Sequence, residues 1–70
     1  MEMNEIINKA RFLFDEKITT HVDTLGNSFF NGVIIELHET QIIINDRVLG
    51  LTPIAFSEIK RLEVFREVEE

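Results

Sequence analysis

Apolar residues in the first quarter of the chain recur at the helical period. Between Asn4 and Asp15, Ile6, Ala10 and Leu13 follow one another at steps of four and three, and Met3, Ile7 and Phe14 broaden the stripe. That spacing predicts one amphipathic helix over 4–15. Asn4 is the expected N-cap, Glu5 stands at the positive end of the helix dipole, and the Glu5 to Lys9 spacing supports the exposed face. Phe12 falls off the stripe. It is either a surface aromatic or a contact with another subunit, since aromatics concentrate in interfaces.

After Lys17 the period changes to two. Ile18, Thr20, Val22 and Thr24 alternate with Thr19, His21 and Asp23, which predicts a β-branched strand with one apolar face. Gly26-Asn27 marks a tight turn, and Asn45-Asp46, between Ile44 and Val48, marks a second. Between them Phe29 to Leu37 and Gln41 to Ile44 read as strands separated by the polar break His38-Glu39-Thr40. Arg47 to Leu51 reads as a fourth strand whose inner pairing ends at Pro53, which has no amide hydrogen, and Ile59 to Phe65 as a fifth. Ala55 to Glu58 fits one turn of 3₁₀ helix. Gly32, inside an apolar strand, marks a sharp bend or a close backbone approach. One helix followed by five short consecutive strands predicts a mainly β domain, a small, strongly bent, antiparallel SH3-like barrel. The expected organisation is a single domain with the helix over 4–15, the barrel over 18–65 and a charged, fraying tail over 66–70.

Size changes the picture. A chain of 70 residues buries only about 60% of the surface it exposes when unfolded, so its core alone is marginal. With no cysteine and two histidines, neither a disulfide nor a thiolate zinc site is available, and self-association is the remaining common remedy. The longest apolar runs, such as Val33-Ile34-Ile35 and Ile42-Ile43-Ile44, are far short of the roughly 20 residues of a membrane span. The N-terminal residues, with Glu2 and Glu5, do not have the basic start of a signal peptide, so a cytoplasmic location is the expectation.

Two further stretches carry a family resemblance. Gly26-Asn27-Ser28-Phe29-Phe30-Asn31-Gly32-Val33-Ile34-Ile35-Glu36-Leu37-His38 with Ile42-Ile43-Ile44, and then Leu49 to Ile59, resemble the two motifs of the Sm-like (LSm) family. These are ring-forming, RNA-associated barrels that include the bacterial host-factor RNA chaperone. The resemblance covers about Asn4 to Val64 and implies a helix plus five bent strands, a homo-oligomeric ring and RNA as a partner. It also shows departures: His38 stands where the family has Asp, Ile42 where a base-contacting Asn is frequent, and Ala55-Phe56 where an Arg-Gly pair helps hold a base. The scaffold is kept while the base pocket is not, so any RNA binding is expected to select weakly among bases.

Charge bears on that expectation, because phosphate binding depends on Lys and Arg. The chain has 13 acidic against 7 basic side chains, a formal net charge of −6, and Arg47 is the sole basic residue from Ile18 to Phe56. The candidate nucleic-acid residues are therefore Lys60 and Arg61, Lys9 and Arg11 on the helix, and Phe56, which either stacks on a base or plugs the core. A ring multiplies a few basic groups around its axis. The simpler reading of Lys60-Arg61 is a solvated strand carrying charges beside Glu58 and Glu63.

Catalysis has little support. Ser28 and Ser57 lie in expected turns, neither histidine has a signature spacing, and the three glycines form no phosphate loop. Glu36 and His38 share a strand face, but two ligands make a weak metal site and solvated strand-end charges explain them more simply. No cofactor and no metal are expected, and the chain reads as a non-enzyme. Apolar surplus on both faces of the central strands points to a neighbour. Alternation in the last strand turns Phe65 outward and makes an edge suited to a neighbour's fourth strand, so Val64, Phe65 and Phe12 are the expected oligomer contacts. The reading is a ring-forming binding platform, with a protein-interaction adaptor that takes no nucleic acid as the alternative.

Overall fold

The computed structural model describes residues 2–66, so the expected tail lies outside the described residues beyond Arg66. Helix α1 covers Met3–Asp15. Ile6, Ala10 and Leu13, at the predicted spacing, are its buried residues, while Phe12 is 54% exposed. Asn4 is not the N-cap. The Ile6 amide already bonds the Glu2 carbonyl at 3.0 Å, so the helix starts ahead of Asn4, and the capping position falls to Glu2, whose side chain makes no capping bond. The other end is closed by backbone. Ile18 N–H reaches the Leu13 carbonyl at 3.1 Å and Lys17 N–H the Phe14 carbonyl at 3.2 Å, with Lys17 at φ 55. This is the Schellman arrangement, with a lysine where glycine is usual.

The strands are β1 Thr19–Thr24, β2 Phe29–Leu37, β3 Gln41–Asp46, β4 Gly50–Ala55 and β5 Ile59–Val64, with a 3₁₀ turn over Phe56–Glu58 before β5. They form one antiparallel sheet in the order β4-β3-β2-β1-β5. In β1 the alternation holds, with Thr20 and Val22 buried. Register shifts between Asp23 and Thr24 and between Ile34 and Glu36 kink the sheet. Gly32 lies opposite Asp46 where β2 and β3 approach so closely that a Cβ would collide with the Asn45 carbonyl. That close approach is why this strand position holds glycine.

Side chains from both ends of the chain meet in one core. Ile6, Ala10 and Leu13 of α1 pack with Val22, Ile34, Ile42, Ile44, Ile54, Phe56, Ile59 and Leu62. The helix lies against β2, β5 and the 3₁₀ turn.

The β3–β4 connection departs from the expected turn. Asn45 and Asp46 are strand residues, opposite Leu51 and Gly50, and the turn is Arg47-Val48-Leu49. The Asp46 carboxylate explains the shift: one oxygen accepts the amides of Val48 and Leu49, each at 2.9 Å, so the turn is capped from the strand end. Accordingly β4 begins at Gly50 and not at Arg47, and Pro53 lies inside it, opposite Ile43. The Phe56 amide bonds the Thr40 carbonyl at 3.0 Å. By the alternation of antiparallel pairing, Ile42–Ile54 and Ile44–Thr52 are then the bonded pairs of β3 and β4. Pro53 falls between them, with its ring nitrogen facing the open edge, where no amide hydrogen is missed.

Candidate functional site

Lys60 and Arg61 lie at a defect in the sheet. Asp23 is paired with Arg61 and Thr24 with Ile59, which leaves Lys60 as the extra residue of a bulge. Both basic side chains border an open depression of about 240 Å³ together with Asp23, Thr24, Asn27, Ser28 and Phe29. Its far wall is the β1–β2 turn. Asn27, not Gly26, takes the left-handed conformation there (φ 64), and Thr24 holds the turn by bonding Ser28 through both amide and hydroxyl.

Phe29 is the residue that the sequence did not single out for this site. It is 63% exposed, while its neighbour Phe30 packs against the core. Strand alternation carries the signal: Gly32 and Ile34 point inward with Phe30, so Phe29 must point out. An exposed ring next to two cations is the composition of a stacking surface for single-stranded nucleic acid.

The remaining candidates are placed elsewhere. Phe56 is 4% exposed and belongs to the core, so the core plug, not the base stack, describes its ring. Lys9 and Arg11 lie on α1 and do not border the depression that holds Lys60 and Arg61. Val64 closes β5 at 39% exposure. Phe65 lies one residue past the strand, half-buried, with the Arg47 guanidinium 4.8 Å from its ring centroid. The ring is thus partly screened by Arg47 and still borders an open depression with His21, Asn31, Glu63, Val64 and Arg66.

A polar cluster crosses β1 and β2 beside these residues. His21 Nδ1 lies 2.6 Å from Asn31 Oδ1, and Nε2 lies 2.9 Å from Asp23 Oδ1. Glu63 is opposite His21 on β5. The Asn31 bond raises the imidazole above its ordinary range, helped by the bond and charge of Asp23 and the charge of Glu63, and opposed by burial. Glu36 and His38 form a separate exposed pair at 2.7 Å. Among the described residues, no group of three or more His, Asp or Glu is arranged to hold a metal ion, and no helix is long and apolar enough to cross a membrane.

No family model matches the chain, and no curated protein matches it. Solved structures do. The crystal structure of "the pleiotropic translational regulator, Hfq" superposes with a TM-score of 0.73 over 90% of this chain and 100% of that one, at 16% identity. An Hfq protein from Anabaena sp. superposes with a TM-score of 0.71 over 91% of this chain and 100% of that one, at 17% identity. At such identity the likeness is one of fold, and it covers helix, sheet and connections alike: the chain has the Sm-like fold of Hfq.

Proposed function

We propose that the chain is a non-enzymatic, cytoplasmic Sm-like module that assembles with copies of itself into a ring and binds single-stranded RNA with weak base selectivity. The depression that sets exposed Phe29 beside Lys60 and Arg61 carries the binding reading. Stacking on a ring accepts any base, and two cations position phosphates without reading sequence. Asp23 on the same rim and the net charge of −6 limit affinity per subunit. Repetition around a ring restores it by avidity.

Assembly is supported by the two ends of the sheet. β4 and β5 each pair on one side only among the described residues, which leaves two open edges on one small domain. Exposed apolar side chains accompany those edges, with Leu51 at 67% on β4 and Val64 at 39% on β5, and the helix adds Phe12 at 54%. Edge-to-edge addition of copies satisfies the unpaired backbone and covers part of this surface.

Acidity favours one rival, an adaptor that takes a protein and no nucleic acid. Native mass spectrometry, followed by fluorescence anisotropy with mixed-sequence RNA oligonucleotides at low salt, separates the two. A homo-oligomer that binds RNA and releases it as salt rises is the expected result. An oligomer without detectable binding at low ionic strength, where attraction is strongest, leaves the adaptor; a monomer removes the ring.

A further inference from the structure

The register of β1, β2 and β5 sets outward side chains in rows, with His21 in the row next to the candidate RNA site. Asp23 stands between Phe29 on β2 and Arg61 on β5, and two residues back along β1 His21 stands between Asn31 and Glu63. The first row borders the depression that holds Lys60 and Arg61. The second opens on the separate depression beside Val64, Phe65 and Arg66. His21 does not line the RNA depression, yet it touches two residues that do. Its Nε2 meets Asp23 Oδ1 at 2.9 Å, and its ring centroid lies 5.8 Å from that of Phe29 at a tilt of 32°.

The charge on His21 reaches the site through both contacts. Protonated, the ring donates to Asn31 and Asp23 at once, offsets the carboxylate on the rim, and sets a cation against the Phe29 ring. Neutral, it has one N–H to share between two partners, and an incoming phosphate meets the Asp23 charge without that offset. Neighbouring charges pull in both directions. Glu63 on β5 favours the imidazolium, while Arg61 opposite Asp23 and Arg66 beyond β5 oppose it, as do Lys60 in the bulge and Arg47 over the Phe65 ring. The acceptors prevail: the Asn31 bond foremost, then Asp23 and Glu63, raise the imidazole above its ordinary range against burial.

We propose that His21 is a proton switch for the RNA site: its imidazolium, held between Asn31 and Asp23, supports binding of a strand on Phe29, Lys60 and Arg61, and loss of the proton weakens it. The inference rests on the RNA reading above and names its regulation. Proton and strand are linked, so bound RNA raises the His21 midpoint by as much as the proton raises affinity. A unit charge about 8 Å from a phosphate changes affinity about two- to fivefold at the dielectric of a wet surface.

Fluorescence anisotropy with a short mixed-sequence RNA, from about pH 5.5 to about pH 8.5 at fixed ionic strength, tests the switch. Circular dichroism and native mass spectrometry verify the same folded assembly across that range. Affinity is expected to fall about two- to fivefold as pH rises, and RNA to move the His21 ring-proton NMR midpoint up by about 0.3–0.7 in pH. His38→Gln, which removes the other histidine, should keep the fall, and His21→Gln should abolish it. Asp23→Asn should raise affinity at the alkaline end and lower the midpoint. Affinity that does not change with pH, or a fall that survives His21→Gln, overturns the switch and leaves the RNA site standing. Should His21→Gln not fold, the NMR midpoint of the unmodified chain decides: one that RNA does not move overturns the switch. Absence of binding at every pH overturns both.

Discussion

The Asp46 carboxylate bonds the Asn31 amide at 2.9 Å across β3 and β2, while its second oxygen holds the amides of Val48 and Leu49. One side chain, 8% exposed, therefore closes the β3–β4 turn and fastens it to the sheet. These amides, Leu49 foremost, with Asn31 and Val48, outweigh burial and hold the carboxyl below the usual carboxylate range. Asp46→Ala is expected to cost about 2 kcal/mol by urea denaturation, since it strands three donors, and Asp46→Asn about half of that. A lowered folded pKa means that the stabilisation is present above the unfolded value, about 4, and is lost as pH falls through the folded one. The unmodified chain should lose stability along that acid limb, and Asp46→Asn should flatten it.

His21 runs the opposite way. Its two ring nitrogens face the oxygens of Asn31 and Asp23, and only the protonated ring can donate to both. With the folded pKa raised, its contribution is complete below the ordinary imidazole value and disappears as pH rises through the folded one. Stability measured from about pH 5 to about pH 8 should therefore decline, and His21→Gln should remove that decline. A ring-proton NMR titration of His21 with a midpoint at or below the ordinary value would contradict the geometry.

Lys17 offers a gain. It holds the left-handed position of the α1 C-terminal motif at φ 55, where a Cβ is strained. Lys17→Gly should stabilise the chain by about 0.5–1 kcal/mol, after the larger backbone entropy of glycine in the unfolded chain is subtracted. Thermal unfolding checks it, with Lys17→Ala expected to give no such gain.

How much of this was legible follows from whether the cause is local. The α1 stripe, the β1 alternation and the tight approach at Gly32 are set by period and residue size, and each is written in the chain itself. The turn after β3 is not, because Asn45-Asp46 has the composition of a turn while the fold uses Asp46 as its cap from the strand end. Pro53 argued for the end of a strand, but its place on an edge depends on strand order, which no local pattern encodes. For the site, Lys60-Arg61 was visible as the one basic pair outside the helix. Phe29 joined it only when the β1–β2 turn folded back beside β5. The ring of Phe56 went to the core because Ile54 and Ile59 on either side are buried too.

RNA binding gives the sharpest separation among these residues. Replacing Lys60 and Arg61 with Ala removes the two proposed phosphate contacts, so affinity should fall alike for every sequence and the logarithmic salt dependence should become shallower by about 1.4 on a single strand. Phe29→Ala should cost about 1–3 kcal/mol of binding while leaving that salt slope unchanged, because stacking releases no counterions. Phe56→Leu should leave binding nearly untouched and lower stability instead, since its ring lies in the core. Lys9→Ala and Arg11→Ala, away from the depression, should weaken binding less than the Lys60 and Arg61 changes. Titrations at several salt concentrations separate the two contributions, since one variant alters the slope and the other the intercept. A strong preference for oligo-uridine kept at physiological salt would contradict this assignment, because neither two cations nor one phenylalanine distinguishes uridine from other bases.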